Sequence, residues 1–316
     1  MKYLFFDIEC SNCFNGIGKM CEFGYVLTDE SLRVMKSGEI PMSPGKGRAA
    51  KFHLTGRKHE KDLILAYEDD YYFEQPEFPH FYKKIKEMVE DPDTVCFAYS
   101  MDNDIPHLYN ACKRYRLEPF NYECCDVQKI VAAYFKKKGQ VSLRKACLEI
   151  VDPNAILKLQ EHFSRDDAEM ERLVFEGICT LSKTSPAELL EQSEFARTNS
   201  VKYLKRIEDK QKRKRFKEAG QNLYKSLAAA DEELDKSENI GRRYSVSGEL
   251  KANLNALKET INLIQRQNGI LCSTLDKSDY FITYNDEDKE KILNGLKRPF
   301  SGKMLTYTEF TKLILE

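Results

Sequence analysis

The chain has 316 residues, 41% hydrophobic and 32% charged, with 50 Lys and Arg against 51 Asp and Glu for a net charge of −1. That length points to two domains or more, and the balanced charge excludes a global field for polyanions, so any nucleic-acid contact must rest on local patches. No apolar run approaches the roughly 20 residues of a membrane span and no signal-type segment precedes the first strand pattern, so a cytoplasmic protein with reduced thiols at its ten scattered cysteines is expected.

Tyr3-Leu4-Phe5-Phe6 is an apolar run suited to a strand buried on both faces. It continues into Asp7-Ile8-Glu9, where strand alternation puts both carboxylates on one face and Ile8 on the other. Side by side they repel. A divalent cation is one reason to keep them there; a strand end turning into a solvated acidic loop is the other, and acids further along decide between the two. Cys10-Ser11-Asn12-Cys13 has Cys-x-x-Cys spacing, but Cys124 and Cys125 are adjacent and offer no second pair, so structural zinc is not expected. Glu22–Leu27 and Leu32–Ile40 read as two further strands, making an antiparallel meander. Residues 41–77, with Pro41, Pro44, Gly45, Gly47 and Pro76, read as irregular.

Phe78, Phe81, Ile85 and Val89 recur at helical spacing and predict a helix over 78–89. Thr94–Tyr99 reads as a short buried strand ending in Ser100-Met101-Asp102-Asn103-Asp104-Ile105-Pro106. Pro106 suits the first turn of a helix, which puts these acids at a strand-to-helix junction. Asp102 is assigned to capping or solvent, and Asp104 is kept as a candidate ligand. Tyr122–Val127 is a strand followed by a helix to about Phe135; after a turn at Gly139 another helix begins near Ser142. Met170, Leu173, Val174, Ile178 and Leu181 mark one face of a long helix, with His162 just before it and Asp167 in its first turns.

These residues resemble the three motifs of DEDDh-type 3′–5′ exonucleases, the superfamily of the polymerase III epsilon proofreading subunit and RNase T. Asp7 and Glu9 match the Asp-x-Glu of the first; Asp104 with Leu108 matches the second; His162, Asp167 and Ala168 match the third. Order and spacing agree across residues 1–182. Cys10 stands where the family often has Thr, and Asp104 lacks the usual preceding Asn and Phe, leaving Asp102 a rival for its role and Asp166 a rival for that of Asp167. The resemblance implies an α/β fold with an RNase H-like mixed sheet flanked by helices. It also implies two divalent cations, Mg²⁺ or Mn²⁺, about 3.5–4 Å apart, with Asp7, Glu9, Asp104 and Asp167 as metal ligands. His162 would be the general base, and Glu9 would also contact the terminal 3′-hydroxyl of the substrate. The implied product is a nucleoside 5′-monophosphate.

Residues 183–238 are helix-forming and charged, and read as a connector. Between Arg197 and Lys217 ten Lys and Arg residues face only Glu208 and Asp209, which suits either a solvated helix or a non-specific phosphate-tracking surface. Residues 239–316 give a βαββαβα order. With Ser-Gly-Glu-Leu after the first strand and Tyr-Phe-Ile-Thr on the third, this small α/β domain resembles a BRCT domain. Asn268-Gly269 stands where that family has Gly-Gly, and Phe310 takes the place of a missing Trp. The resemblance implies a phosphoprotein or DNA-end contact, with Ser247, Gly248 and Lys289 (less so Lys291) as phosphate-binding residues. The sum is an expected metal-dependent exonuclease acting on nucleic acid with a free 3′ end. DNA is favoured over RNA on the BRCT resemblance, with no membrane partner.

Overall fold

Strand β1 (Lys2–Ser11) is the spine of the first sheet. It pairs antiparallel with β2 (Lys19–Thr28) and parallel with β4 (Thr94–Ala98). On the outer side β3 (Val34–Pro41) completes the antiparallel meander, and on the other β5 (Glu123–Asp126) extends the parallel half. A sixth strand, β6 (Arg197–Asn199), closes the order β3-β2-β1-β4-β5-β6. This is the mixed sheet of an RNase H-like α/β fold. The computed structural model describes residues 1–11, 18–45, 65–234 and 241–315, and the chain divides into two compact units, Met1–Lys205 and Arg206–Glu316.

Alternation along β1 sends Tyr3 and Phe5 to one face and Leu4 and Phe6 to the other, and all four are fully buried. Phe5 stacks on Phe97 at 4.8 Å, and Phe97 meets Phe175 at 4.8 Å. Phe175 belongs to the long helix over residues 164–182, so this aromatic trio fixes that helix on the face that also carries Asp7 and Glu9. Truncating any one of the three would cost about 3–5 kcal/mol. Helix α1 (Asp69–Glu74) lies in a stretch that the sequence leaves irregular; residues 46–64 of that stretch lie outside the described residues. Helix α2 (Phe78–Val89) has the expected bounds. Helix α3 (Met101–Arg114) starts five residues ahead of Pro106, because the Asn103 N–H closes on the Ser100 carbonyl at 2.8 Å and forms a first turn before the proline.

Helices α4 (Val127–Tyr134), α5 (Leu143–Ile150), α6 (Pro153–Ile156) and α7 (Ser164–Ser182) follow. Ser142 caps α5, its side chain accepting the Lys145 N–H. Two elements fall where the sequence pattern suggested a connector. Helix α8 (Pro186–Gln192) buries Leu189 and Leu190 in the first core, and β6 pairs with β5. The Ser200 hydroxyl holds this edge, donating to the Phe120 carbonyl at 2.9 Å and accepting the Tyr122 N–H at 3.1 Å. Three polar residues carry no alternation to read, which is why the strand escaped the sequence pattern. Helix α9 (Ser200–Leu234) spans the division in sequence.

The second unit builds a wholly parallel sheet of order β10-β9-β7-β8 from β7 (Arg243–Val246), β8 (Ile270–Leu271), β9 (Tyr280–Thr283) and β10 (Lys303–Thr306). Between and after them come α10 (Gly248–Ala252), α11 (Leu254–Arg266), α12 (Asp286–Gly295) and α13 (Tyr307–Leu315). The strand expected over 270–275 is shortened to two residues. Phe310 is fully buried edge-on to Tyr244 at 5.8 Å. Helix α11 closes at Asn268, φ +50°, and Gly269 follows it because a Cβ there would press on the Tyr244 ring at 2.7 Å. Among the described residues no helix is long and apolar enough to cross a membrane.

Candidate active site

Asp7, Glu9, Asp104, His162 and Asp167 come from β1, α3, the approach to α7 and its first turn, and all five line one pocket of about 450 Å³. Asp7 is the central anomaly. Its Oδ2 is buried with no hydrogen-bond partner. Burial first, and then Glu9, Asp104, Asp167 and Glu171, push its carboxyl well above the ordinary range. Asp104, 4% exposed, is raised by burial and then by Glu9 and Asp126. Asp167 is pushed up to about 7 by burial and Glu9, against the His162 N–H that its Oδ2 accepts at 2.9 Å.

His162 occupies the mouth of the pocket. Its backbone is left-handed, φ +66°, a conformation costing an L residue roughly 1–2 kcal/mol. The Asp167 carboxylate on its N–H helps hold it there. The imidazole is 57% exposed, and its Nδ1 lies 3.7 Å from Glu9 Oε1, an ion-pair rather than a hydrogen-bond distance. Glu9 raises the imidazole pKa above its usual value. Glu9, whose side chain is 12% exposed, is raised by burial and drawn back down by His162.

The donor set is oxygen-rich and carries one imidazole. Among the described residues Glu9, His162 and Asp167 form the one group of three His, Cys or acid side chains whose ligand atoms fall within 4.8 Å of one another. Together with the orphaned Asp7 Oδ2, this set fits a hard divalent cation. The Arg144 guanidinium, also at the pocket, is engaged by Glu161 at 3.2 Å and does not neutralise the acids. Among the described residues Cys10 joins no group of three candidate ligands, and Cys13 lies outside them.

Two rivals find other partners. Asp166 accepts from the Arg165 guanidinium at 3.1 and 2.9 Å and from the Gln160 N–H at 3.0 Å, so it braces the loop before α7. Asp102 is exposed and accepts from the Tyr203 hydroxyl, and the N-cap position belongs to Ser100, so of the two roles expected for Asp102, capping or solvent, it takes the exposed one.

Three positions that shape this site were not singled out in the sequence. Glu171 lies one turn beyond Asp167 on α7 and is fully buried; its Oε1 accepts the Tyr99 N–H at 2.8 Å, and its Oε2 has no partner. An acid four residues after Asp167 on an otherwise apolar face was the available signal. Glu22 stands opposite Glu9 in the β1–β2 register and is fully buried. It accepts the Ser164 N–H at 3.1 Å, the Ser164 hydroxyl and, on its other oxygen, the Tyr72 hydroxyl at 2.5 Å. Gly24, opposite Asp7, lets the start of α7 approach: a Cβ there would overlap the backbone of Ser164 and Arg165. Glu22 and Gly24 thus set the seat of the turn that carries His162 and Asp167.

The tail residues expected to hold phosphate do not form an open anion site. Ser247 is 1% exposed and caps α10, accepting the Leu250 N–H at 3.1 Å, while its hydroxyl donates to the buried Asp288. Its own N–H is spent on the Ile282 carbonyl at 2.9 Å. Lys289 pairs with Glu309 at 2.9 Å. A phosphate at Ser247 and Gly248 would face the Asp288 carboxylate. Of the three residues expected to hold phosphate, Ser247 and Lys289 have protein partners and Gly248 is exposed.

No family model matches this sequence, and no curated protein matches it. Among solved structures the chain is similar to a 3′-exonuclease recognising the 3′ end of histone mRNA stem-loop, at 13% identity and a TM-score of 0.45 over 58% of this chain and 65% of that one. It is also similar to the nuclease domain of 3′hExo, a DEDDh family member bound to rAMP, at 14% identity and a TM-score of 0.45, over 58% of this chain and 94% of that one. A third is the zinc-bound E. coli exonuclease I–ssDNA complex, at 15% and 0.45, over 60% and 42%. The chain therefore spans less than two thirds of the first and third. At these scores and identities the likeness assigns neither activity nor substrate.

Proposed function

We propose that this chain is a metal-dependent 3′–5′ exonuclease that hydrolyses DNA from its 3′ end to nucleoside 5′-monophosphates in replication or repair. The observation that carries the reading is the convergence of Asp7, Glu9, Asp104 and Asp167 beside His162, with the buried Asp7 Oδ2 left without a partner. The four carboxylates would hold divalent cations, which supply the charge that an attacked phosphodiester needs and lower the pKa of bound water. His162, half-exposed at the mouth, is placed to take the proton of the attacking water when neutral. Glu9 positions that ring from the floor and is available to the terminal 3′-hydroxyl. DNA rather than RNA is favoured by the second unit, whose βααββαβα order matches the expected βαββαβα but for the short α10 and supports the BRCT resemblance.

The test is digestion of a 5′-labelled single-stranded DNA oligomer with Mg²⁺ or Mn²⁺, beside EDTA and a matched RNA. The expected result is a ladder shortening from the 3′ end, absent with EDTA and stronger on DNA. Faster shortening of RNA would make the enzyme an RNA 3′-end trimming exoribonuclease; no cleavage of either would leave a non-catalytic scaffold.

A further inference from the structure

Helix α9 is bare in its middle: every residue from 208 to 219 is exposed. The second unit first grips it at Gly220, where a Cβ would overlap the Lys251 carbonyl in α10. Beyond that point Tyr224 and Ala228 are buried, and the Tyr224 hydroxyl donates to the Cys272 carbonyl at 2.7 Å. Ahead of Gly220 the helix leaves a cleft of about 950 Å³ between itself and the start of α11. Lys210, Arg213, Lys214 and Lys217 line one wall. Their spacing of three, four and three puts them on a single helix face, a stripe about 10 Å long.

The charge of this stripe is uncompensated. Glu249 is the one acid lining the cleft, and Lys214 meets Glu218 only at 3.9 Å in open solvent. No carboxylate pairs with Lys210, Arg213 or Lys217 among the described residues. Two aromatic rings also line the cleft: Phe216 is 43% exposed, and Tyr284, 38% exposed, is steadied by the Asn253 amide donating to its hydroxyl at 2.9 Å. Cations in a row with open rings beside them suit phosphates and unstacked bases together. An acidic peptide would satisfy the cations and leave the rings uncovered.

We propose that this cleft is a second nucleic-acid site, which binds single-stranded substrate through phosphates on the α9 cations and bases stacked on Phe216 and Tyr284. The identity of the ligand rests on the exonuclease reading. The experiment is fluorescence anisotropy of a labelled oligo-dT with the full chain in EDTA, titrated with KCl. K210A/R213A/K214A/K217A is expected to weaken binding at least tenfold and to lower the salt slope by about 3, at roughly 0.7 per phosphate contact on a single strand. Phe216→Ala is expected to weaken binding about fivefold or more at unchanged slope. All substituted side chains are exposed, and circular dichroism checks that the variants stay folded. Unchanged affinity and slope in both variants would overturn the proposal. So would displacement of the oligomer by a polyglutamate peptide coupled with indifference to Phe216→Ala, which would assign the cleft to an acidic protein partner. Cleavage of a dinucleotide in Mg²⁺ separates the two readings: its absence in the wild type would sink the exonuclease while the EDTA titration still decides the cleft.

Discussion

The acids around Asp7 and the polar cluster around Ser247 offer phosphate-type chemistry from similar sequence cues, and they differ in what their polar atoms already hold. In the tail Ser247, Asp288, Lys289 and Glu309 each hold a protein partner. Asp288 accepts from the Ser247 hydroxyl and the Tyr284 N–H, and Glu309 accepts from Lys289 and the Thr306 N–H. In the first unit Asp7 Oδ2 and Glu171 Oε2 are buried with no partner. Buried polar atoms left unpaired are rare and expensive. A cluster that closes on itself is structure, whereas carboxylates that converge without closing leave acceptors for a ligand.

The largest expected effect sharpens that contrast at Asp7. Asp7→Ala should reduce oligomer cleavage to background while the melting temperature in EDTA holds or rises, since a buried carboxylate surrounded by four others is removed. Mg²⁺ at a hundredfold its dissociation constant should stabilise the wild type by about 2.7 kcal/mol and leave Asp7→Ala unmoved. Equal stabilisation of both proteins, read by thermal shift, would place the cation elsewhere.

Next in size is Gly24→Ala. The added Cβ meets the backbone of Ser164 and Arg165, not a side chain that can swing aside. The start of α7 has to retreat, carrying Asp167 and His162 away from β1. A loss of about 3 kcal/mol in urea unfolding is expected, with cleavage falling under conditions where the protein remains folded. Gly139→Ala, which meets nothing within 4 Å, is the silent control. Normal activity in Gly24→Ala would show that the seat of α7 does not set the site.

What could be read from the sequence follows from the range over which each signal acts. The buried run of β1 and the apolar stripe of α2 are local patterns and were legible, and Asp7, Asp104, His162 and Asp167, each marked by its own short motif, line one pocket. Glu22 was not, because its meaning lies in Ser164, 142 residues away. Glu171 escaped because one acid on an apolar helix face gives no period. Ser247 shows the same limit: the Ser-Gly turn is a local cue, but Asp288, which takes its hydroxyl, is 41 residues further on.

Ser247→Ala probes the closed cluster directly. It removes the α10 cap and the hydroxyl on Asp288, so a loss of about 1–2 kcal/mol is expected, with inorganic phosphate failing to stabilise either protein. Stabilisation of the wild type by phosphate, lost in the variant, would reopen the anion site.

The smallest effect belongs to Glu309→Gln. The Thr306 N–H first, and Lys289 second, hold the Glu309 carboxyl below its ordinary value of 4.5. A group depressed in the folded state contributes its full stability above the unfolded pKa and loses it as pH falls through the folded one. Glu309 is half exposed and its ion pair screened, so the wild type should exceed Glu309→Gln by less than about 1 kcal/mol at pH 7, the two converging as pH falls below 4.5 and through the depressed folded value. If the difference instead grew as pH fell, the carboxylate would not be serving as acceptor for Lys289 and Thr306. Lys289 would then be free for an anion, and the distinction between a closed tail cluster and an open carboxylate site would fail at its weakest link.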